Sequence, residues 1–109
     1  MTPEGRVKAK VKGLLEEYDV YYFTPATGGY GRSGVPDFVG CAYGRFFSVE
    51  CKANGNKPTA LQEREMRRIQ ESGGKPFVVC DANSFALLSS WLKEIDDRSW
   101  DRKRNGEDK

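Results

Sequence analysis

The 109-residue sequence predicts an α/β domain, a central mixed sheet of about four strands flanked by helices, in the order helix, three strands, helix, strand, helix. Three observations carry that expectation. Apolar residues recur at helical spacing in three separate stretches, and short β-branched and aromatic runs lie between them. Clusters of Gly, Pro, Asn and Asp divide one stretch from the next.

The first helix is expected from Pro3 to about Tyr18, with Thr2 as N-cap, Pro3 in the first turn and Val7, Val11, Leu14 and Leu15 on one stripe. Val20 to Phe23 is the first strand, by its β-branched and aromatic content. The stretch from Thr24 to Gly34 holds four glycines and one proline and reads as a loop. Two further strands fill Gly34 to Lys52, joined by a tight turn at Ala42, Tyr43 and Gly44. A polar turn at Asn54, Gly55 and Asn56 leads to a second helix from Thr59 to about Ser72. Leu61, Met66 and Ile69 form its expected inner face, and Gly73 and Gly74 end it. Pro76 to Cys80 reads as a short strand at the edge of the sheet. The third helix is expected from about Ser84 to Asp97, its stripe made of Phe85, Leu88, Trp91, Leu92 and Ile95 and widened by Leu87. Residues 1–97 thus form one domain, and the charged stretch 98–109 is expected to be a disordered tail.

Composition narrows the chemistry. No stretch approaches a membrane helix and no leader pattern opens the chain, so a soluble, cytoplasmic protein is expected. Cys41, Cys51 and Cys80 fall in expected strands without metal-ligand spacing, and read as buried thiols in a reducing compartment. The chain has no histidine, which removes the commonest general base and the usual partner of a nucleophilic serine or cysteine. The glycine-rich loop lacks the Gly-Lys-Ser/Thr ending of a phosphate-binding P-loop, so no nucleotide cofactor is expected. Net charge is only +2, so no overall basic field advertises nucleic acid, although Arg6, Lys8, Lys10 and Lys12 crowd the first helix and Arg98, Arg102, Lys103 and Arg104 the tail.

The informative stretch is Gly34 to Lys52. Strand alternation puts Ser48, Glu50 and Lys52 on one face and Phe47, Val49 and Cys51 on the other. Antiparallel pairing through the turn then brings Asp37 toward Glu50. Two carboxylates and an ammonium at one place suit a hard cation such as magnesium, which shares its positions between carboxylates, waters and substrate phosphate. A nearby lysine would orient water or offset developing anionic charge. The plain alternative is a solvated cross-strand ion pair.

Pro36-Asp37 followed by Glu50-Cys51-Lys52, with Gln62 opening the next helix, resembles the PD-(D/E)xK nuclease superfamily. With Glu4 in the first helix and the run Ser33-Gly34-Val35-Pro36-Asp37, the pattern is most similar to its VRR-NUC branch, over about Pro3 to Cys80. The resemblance implies a restriction-endonuclease-like core and Mg2+- or Mn2+-dependent cleavage of DNA. It implies Asp37, Glu50 and the Cys51 carbonyl as metal ligands, Lys52 and Gln62 as catalytic groups, and Glu4 near the metal. It further implies a phage protein acting in the bacterial cytoplasm on branched DNA such as a four-way junction, as a homodimer. Two of these roles have a structural alternative: Glu4 complements a helix dipole, and Gln62 closes a capping box with Thr59. Tyr30, Arg32, Ser33 and Lys57 are candidate DNA contacts, with an ordinary surface loop as the alternative. The rival functions are a flap or nicking nuclease with the same site, a catalytically silent nucleic-acid-binding module, and a small structural protein.

Overall fold

The computed structural model describes residues 1–26 and 32–104, with residues 98–104 as backbone alone. Helix α1 (Pro3–Glu17) leads to strand β1 (Tyr21–Phe23), then β2 (Phe38–Ala42) and β3 (Arg45–Cys51); helix α2 (Ala60–Glu71), strand β4 (Lys75–Val79) and helix α3 (Ala82–Arg104) follow. The four strands form one mixed sheet in the order β1-β2-β3-β4, antiparallel except for the parallel pair β3 and β4. The α/β architecture and the element order match those expected, including β4 at an edge, where Pro76 costs the least pairing.

Local chemistry explains the punctuation. The Thr2 hydroxyl accepts from the Gly5 N–H at 3.0 Å and starts α1. Tyr43 and Gly44 both have positive φ, 51° and 86°, so β2 and β3 meet in a two-residue turn of the kind whose twist suits a hairpin. Tyr43 is an unusual residue for that turn. Its hydroxyl donates to Asp96 Oδ1 at 2.6 Å and lies 3.4 Å from the Tyr18 carbonyl, which ties the hairpin to α3 and brings it against the end of α1. The bond to the Asp96 carboxylate, with partial burial, pushes the Tyr43 phenol up to about 12.

The core lies on the face of the sheet that carries Phe38, Phe47, Val49 and Cys51. Val11, Leu14 and Leu15 of α1 and Leu88, Leu92 and Ile95 of α3 pack there, and Trp91 rests against the Phe47 and Phe77 rings. Helix α2 packs on β3 and β4.

Three expectations need correction. Leu61 is 47% exposed, and the buried residue of α2 is Glu65 at 8%. The inner side of the helix runs through Gln62, Glu65, Met66 and Ile69, so Met66 and Ile69 are half-buried as expected while Leu61 turns outward. Cys41 and Cys80 are exposed; only Cys51 is buried, on the core face. Helix α3 continues past Asp97 to Arg104, so that part of the tail is helical; residues 105–109 lie outside the described residues.

Candidate active site

Strand β3 builds the centre of the site. The register pairs Phe38 with Val49, which sets Asp37, one residue before β2, beside Glu50 at the end of β3. Asp37 is fixed by the chain itself: its Oδ2 accepts from the Cys51 N–H at 2.7 Å. Glu50 is only 3% exposed, and its Oε2 accepts from Gln62 Nε2 at 2.9 Å and faces Lys52 Nζ at 3.4 Å. Lys52 follows the last residue of β3, its backbone N–H held by the Val79 carbonyl at 3.0 Å, so its ammonium is anchored to the parallel strand pair. Asp37, Glu50, Lys52 and Gln62 come together as the sequence suggested.

Gln62 closes the expected capping box and also reaches the carboxylate cluster. Its Oε1 accepts from the Thr59 N–H at 2.9 Å, closing the capping box, while its Nε2 reaches Glu50. An amide has a donor end and an acceptor end, so one side chain can fasten the start of α2 and orient a carboxylate at once. The loop before Asp37 is pressed onto the same turn. A Cβ added at Gly34, where φ is +78°, would lie 2.5 Å from the Leu61 carbonyl oxygen, so only glycine permits this approach.

The electrostatics are strained at one atom. Burial, then the neighbouring Asp37 charge, push the Glu50 carboxyl up to about 7, although Lys52 pulls the other way. Its Oε1 is buried and has no hydrogen-bond partner among the described residues. An unpartnered buried carboxylate oxygen is costly to maintain, and such a group invites a cation or a positioned water. Cys51 contributes through its backbone, since burial and the nearby carboxylates push its thiol up to about 12, where it stays protonated and inert.

Lys8 is the residue that sequence reasoning passed over. Its ammonium lies 3.4 Å from Asp37 Oδ1 and 3.6 Å from Glu4 Oε2, bridging α1 to the site. Burial works against that charge, but Asp37 and then Glu4 outweigh it and raise the Lys8 pKa. Glu4 therefore stands at the margin of the cluster, joined to it through Lys8. The spacing of Glu4 and Lys8, one helical turn apart, was the available signal.

The expected DNA contacts are more scattered. Arg32 is paired with the buried Glu65 at 3.2 Å, an ion pair the sequence did not suggest. Ser33, next to Gly34 in the chain, and Lys57, in the turn before α2, are both exposed. Tyr30 lies outside the described residues. Among the described residues no three His, Cys, Asp or Glu side chains form a metal cage. Asp37, just before β2, and Glu50 on β3 supply two carboxylates, the ligand type and number with which a hard divalent cation is held alongside water and phosphate.

No protein-family profile matches the chain. Over 59 residues the chain is 46% identical to "Putative nuclease p44" of Acyrthosiphon pisum secondary endosymbiont phage 1, a match that covers 53% of this chain and 63% of that phage protein. The chain thus spans less than two thirds of the length of that phage protein.

Proposed function

We propose that the chain is a metal-dependent DNA endonuclease of VRR-NUC type, and that Asp37 and Glu50 hold Mg2+ or Mn2+ with the Cys51 carbonyl as a further ligand. The observation that carries the reading is the unpartnered, buried Oε1 of Glu50 beside Asp37, with Lys52 3.4 Å from the other Glu50 oxygen. A purely structural ion pair gives no reason for a buried acidic oxygen without a partner, whereas a cation at that oxygen does. A bound divalent cation supplies Lewis-acid polarisation of the scissile phosphate and a water of lowered pKa.

The chain's own groups do the rest. The Lys52 ammonium, held at the end of β3, offsets negative charge that builds on the phosphate as water adds to phosphorus and the bond to the leaving sugar oxygen breaks. Gln62 fixes the Glu50 carboxylate and, from the first turn of α2, can also orient the attacking water. Arg32, Ser33, Lys57 and Tyr30 are proposed to grip the DNA backbone around this centre.

The preferred substrate in this reading is branched DNA, such as a four-way junction, cut by a homodimer with two identical sites. Leu87, 68% exposed on α3 beside the β4 edge, offers an apolar contact for a second copy. The test is cleavage of labelled junction, flap, nicked and linear DNA with magnesium, manganese or chelator. Metal-dependent cutting that vanishes in Asp37→Ala and Lys52→Ala supports the site. Binding without cutting in every condition would favour a silent nucleic-acid-binding module.

A further inference from the structure

The face of the sheet that carries Glu50 does not end at the carboxylates. Residues paired directly across antiparallel strands share a face, so Tyr21, Cys41 and Phe46 form one row and Phe23, Val39 and Ser48 the next. Asp37 and Glu50 come one step further along the same strands, so the rows lead to the catalytic centre. Helix α2 shields the β3 end of this face, but Tyr21 is 69% exposed, Phe23 50% and Phe46 48%. The Tyr21 and Phe23 rings lie against each other with centroids 6.4 Å apart and planes at 60°.

Large exposed rings on a regular strand surface call for an occupant. Guanidinium groups mark the border of the patch: Arg68, and Arg32 in its pair with Glu65, line a hollow together with Phe46 and Ile69. Rings for stacking and guanidinium groups for phosphate are the combination that holds single-stranded nucleic acid. A second copy pressed onto this face would cover the entrance to Asp37 and Glu50, whereas a nucleic-acid strand laid along it runs into them. With strands about 5 Å apart and same-face residues about 7 Å apart along each strand, Phe23 stands within about 12 Å of Glu50.

We propose that the open face bearing Tyr21, Phe23, Val39, Cys41 and Phe46 is a stacking platform for unpaired nucleobases, so that the strand entering the site is single-stranded on one side of the scissile phosphate. This deepens the nuclease reading in its flap-cutting form, in place of a fully paired four-way junction, and rests on that reading for the cut, but the binding itself needs no catalysis.

The test is fluorescence anisotropy of labelled oligothymidine and of blunt duplex of the same length, both in chelator, with the parent, Tyr21→Leu, Phe23→Leu and the double variant. Leucine keeps apolar area and removes the ring, and circular dichroism checks that each variant is folded. The parent binds the single strand more tightly than the duplex, and the double variant loses about ten-fold or more of that binding with duplex binding unchanged. Equal binding of single strand by parent and variants, or no preference for single strand in the parent, overturns the platform. So does a fall in sedimenting mass of the variants with oligonucleotide binding intact, which would make the face a contact between copies. A chain that binds in this way and cuts nothing in magnesium keeps the platform and loses the nuclease reading; one that cuts but ignores the rings does the reverse.

Discussion

Glu50 concentrates the tension in this molecule, because burial and Asp37 oppose its ionisation while the chemistry requires the carboxylate. The consequence is a pH effect with a definite sign. Its folded-state pKa, about 7, lies above the ordinary 4.5, so between those values the folded chain binds more protons than the unfolded one. Stability from this group is therefore full below about 4.5 and is lost as pH rises through about 7. In chelator, Glu50→Gln, which stays neutral, gains melting temperature over the parent as pH is raised from 5 to 8, and the two curves converge at the acid end. A parent that gains stability relative to the variant across that range would contradict the burial argument. Lys52→Met is expected to lower cleavage by about two to three orders of magnitude, the usual loss for one group that stabilises transition-state charge, with DNA binding retained. Of these residues strand alternation and a hairpin brought Asp37, Glu50 and Lys52 together in the sequence, while Gln62 entered through the family resemblance and its capping-box spacing to Thr59. The sequence did not show Lys8 or the pair of Arg32 with Glu65, because those contacts join elements 29 and 33 residues apart in sequence and depend on how helices lie over the sheet.

At the scale of elements, the first turn of α2 holds the site together from outside the sheet. Thr59 caps it, Gln62 closes the capping box and reaches Glu50, and Gly34 lets the Asp37 loop rest on it. Thr59→Ala should cost about 1 kcal/mol of stability by chemical denaturation. Gly34→Ala should cost about 2 kcal/mol, since it adds both a disfavoured φ and a clash with main chain, and it should lower cleavage with it. Were Gly34→Ala to fold and cut as well as the parent, the close approach of loop and helix would have no part in the site. The capping box was visible in the sequence as Thr59 and Gln62. The inward turn of Glu65 was not, since apolar periodicity seats Leu61 inside and cannot foresee the long-range pair of Glu65 with Arg32.

At the scale of the molecule, one face of the sheet is covered by α1 and α3 and makes the core, while the other is shared between α2 and an open aromatic surface. That division suits a small nuclease: the core face supplies stability and leaves the second face to substrate. The order of elements and the edge position of β4 were legible because hydrophobic period and turn residues agreed along the chain. The open half of the second face was not, because exposure depends on which strands α2 covers. A homodimer formed through Leu87 and the β4 edge would leave both open faces free, and light scattering at micromolar concentration should give twice the monomer mass; monomer mass throughout, with paired cuts retained on a junction, would contradict that assembly. The measurement that tests the central claim most directly is cleavage of the labelled DNA panel by parent, Asp37→Ala and Lys52→Ala with magnesium, manganese or chelator. The account predicts cutting by the parent in either metal, none in chelator and none by either variant. Cutting that persists in chelator, or in both variants, would contradict it.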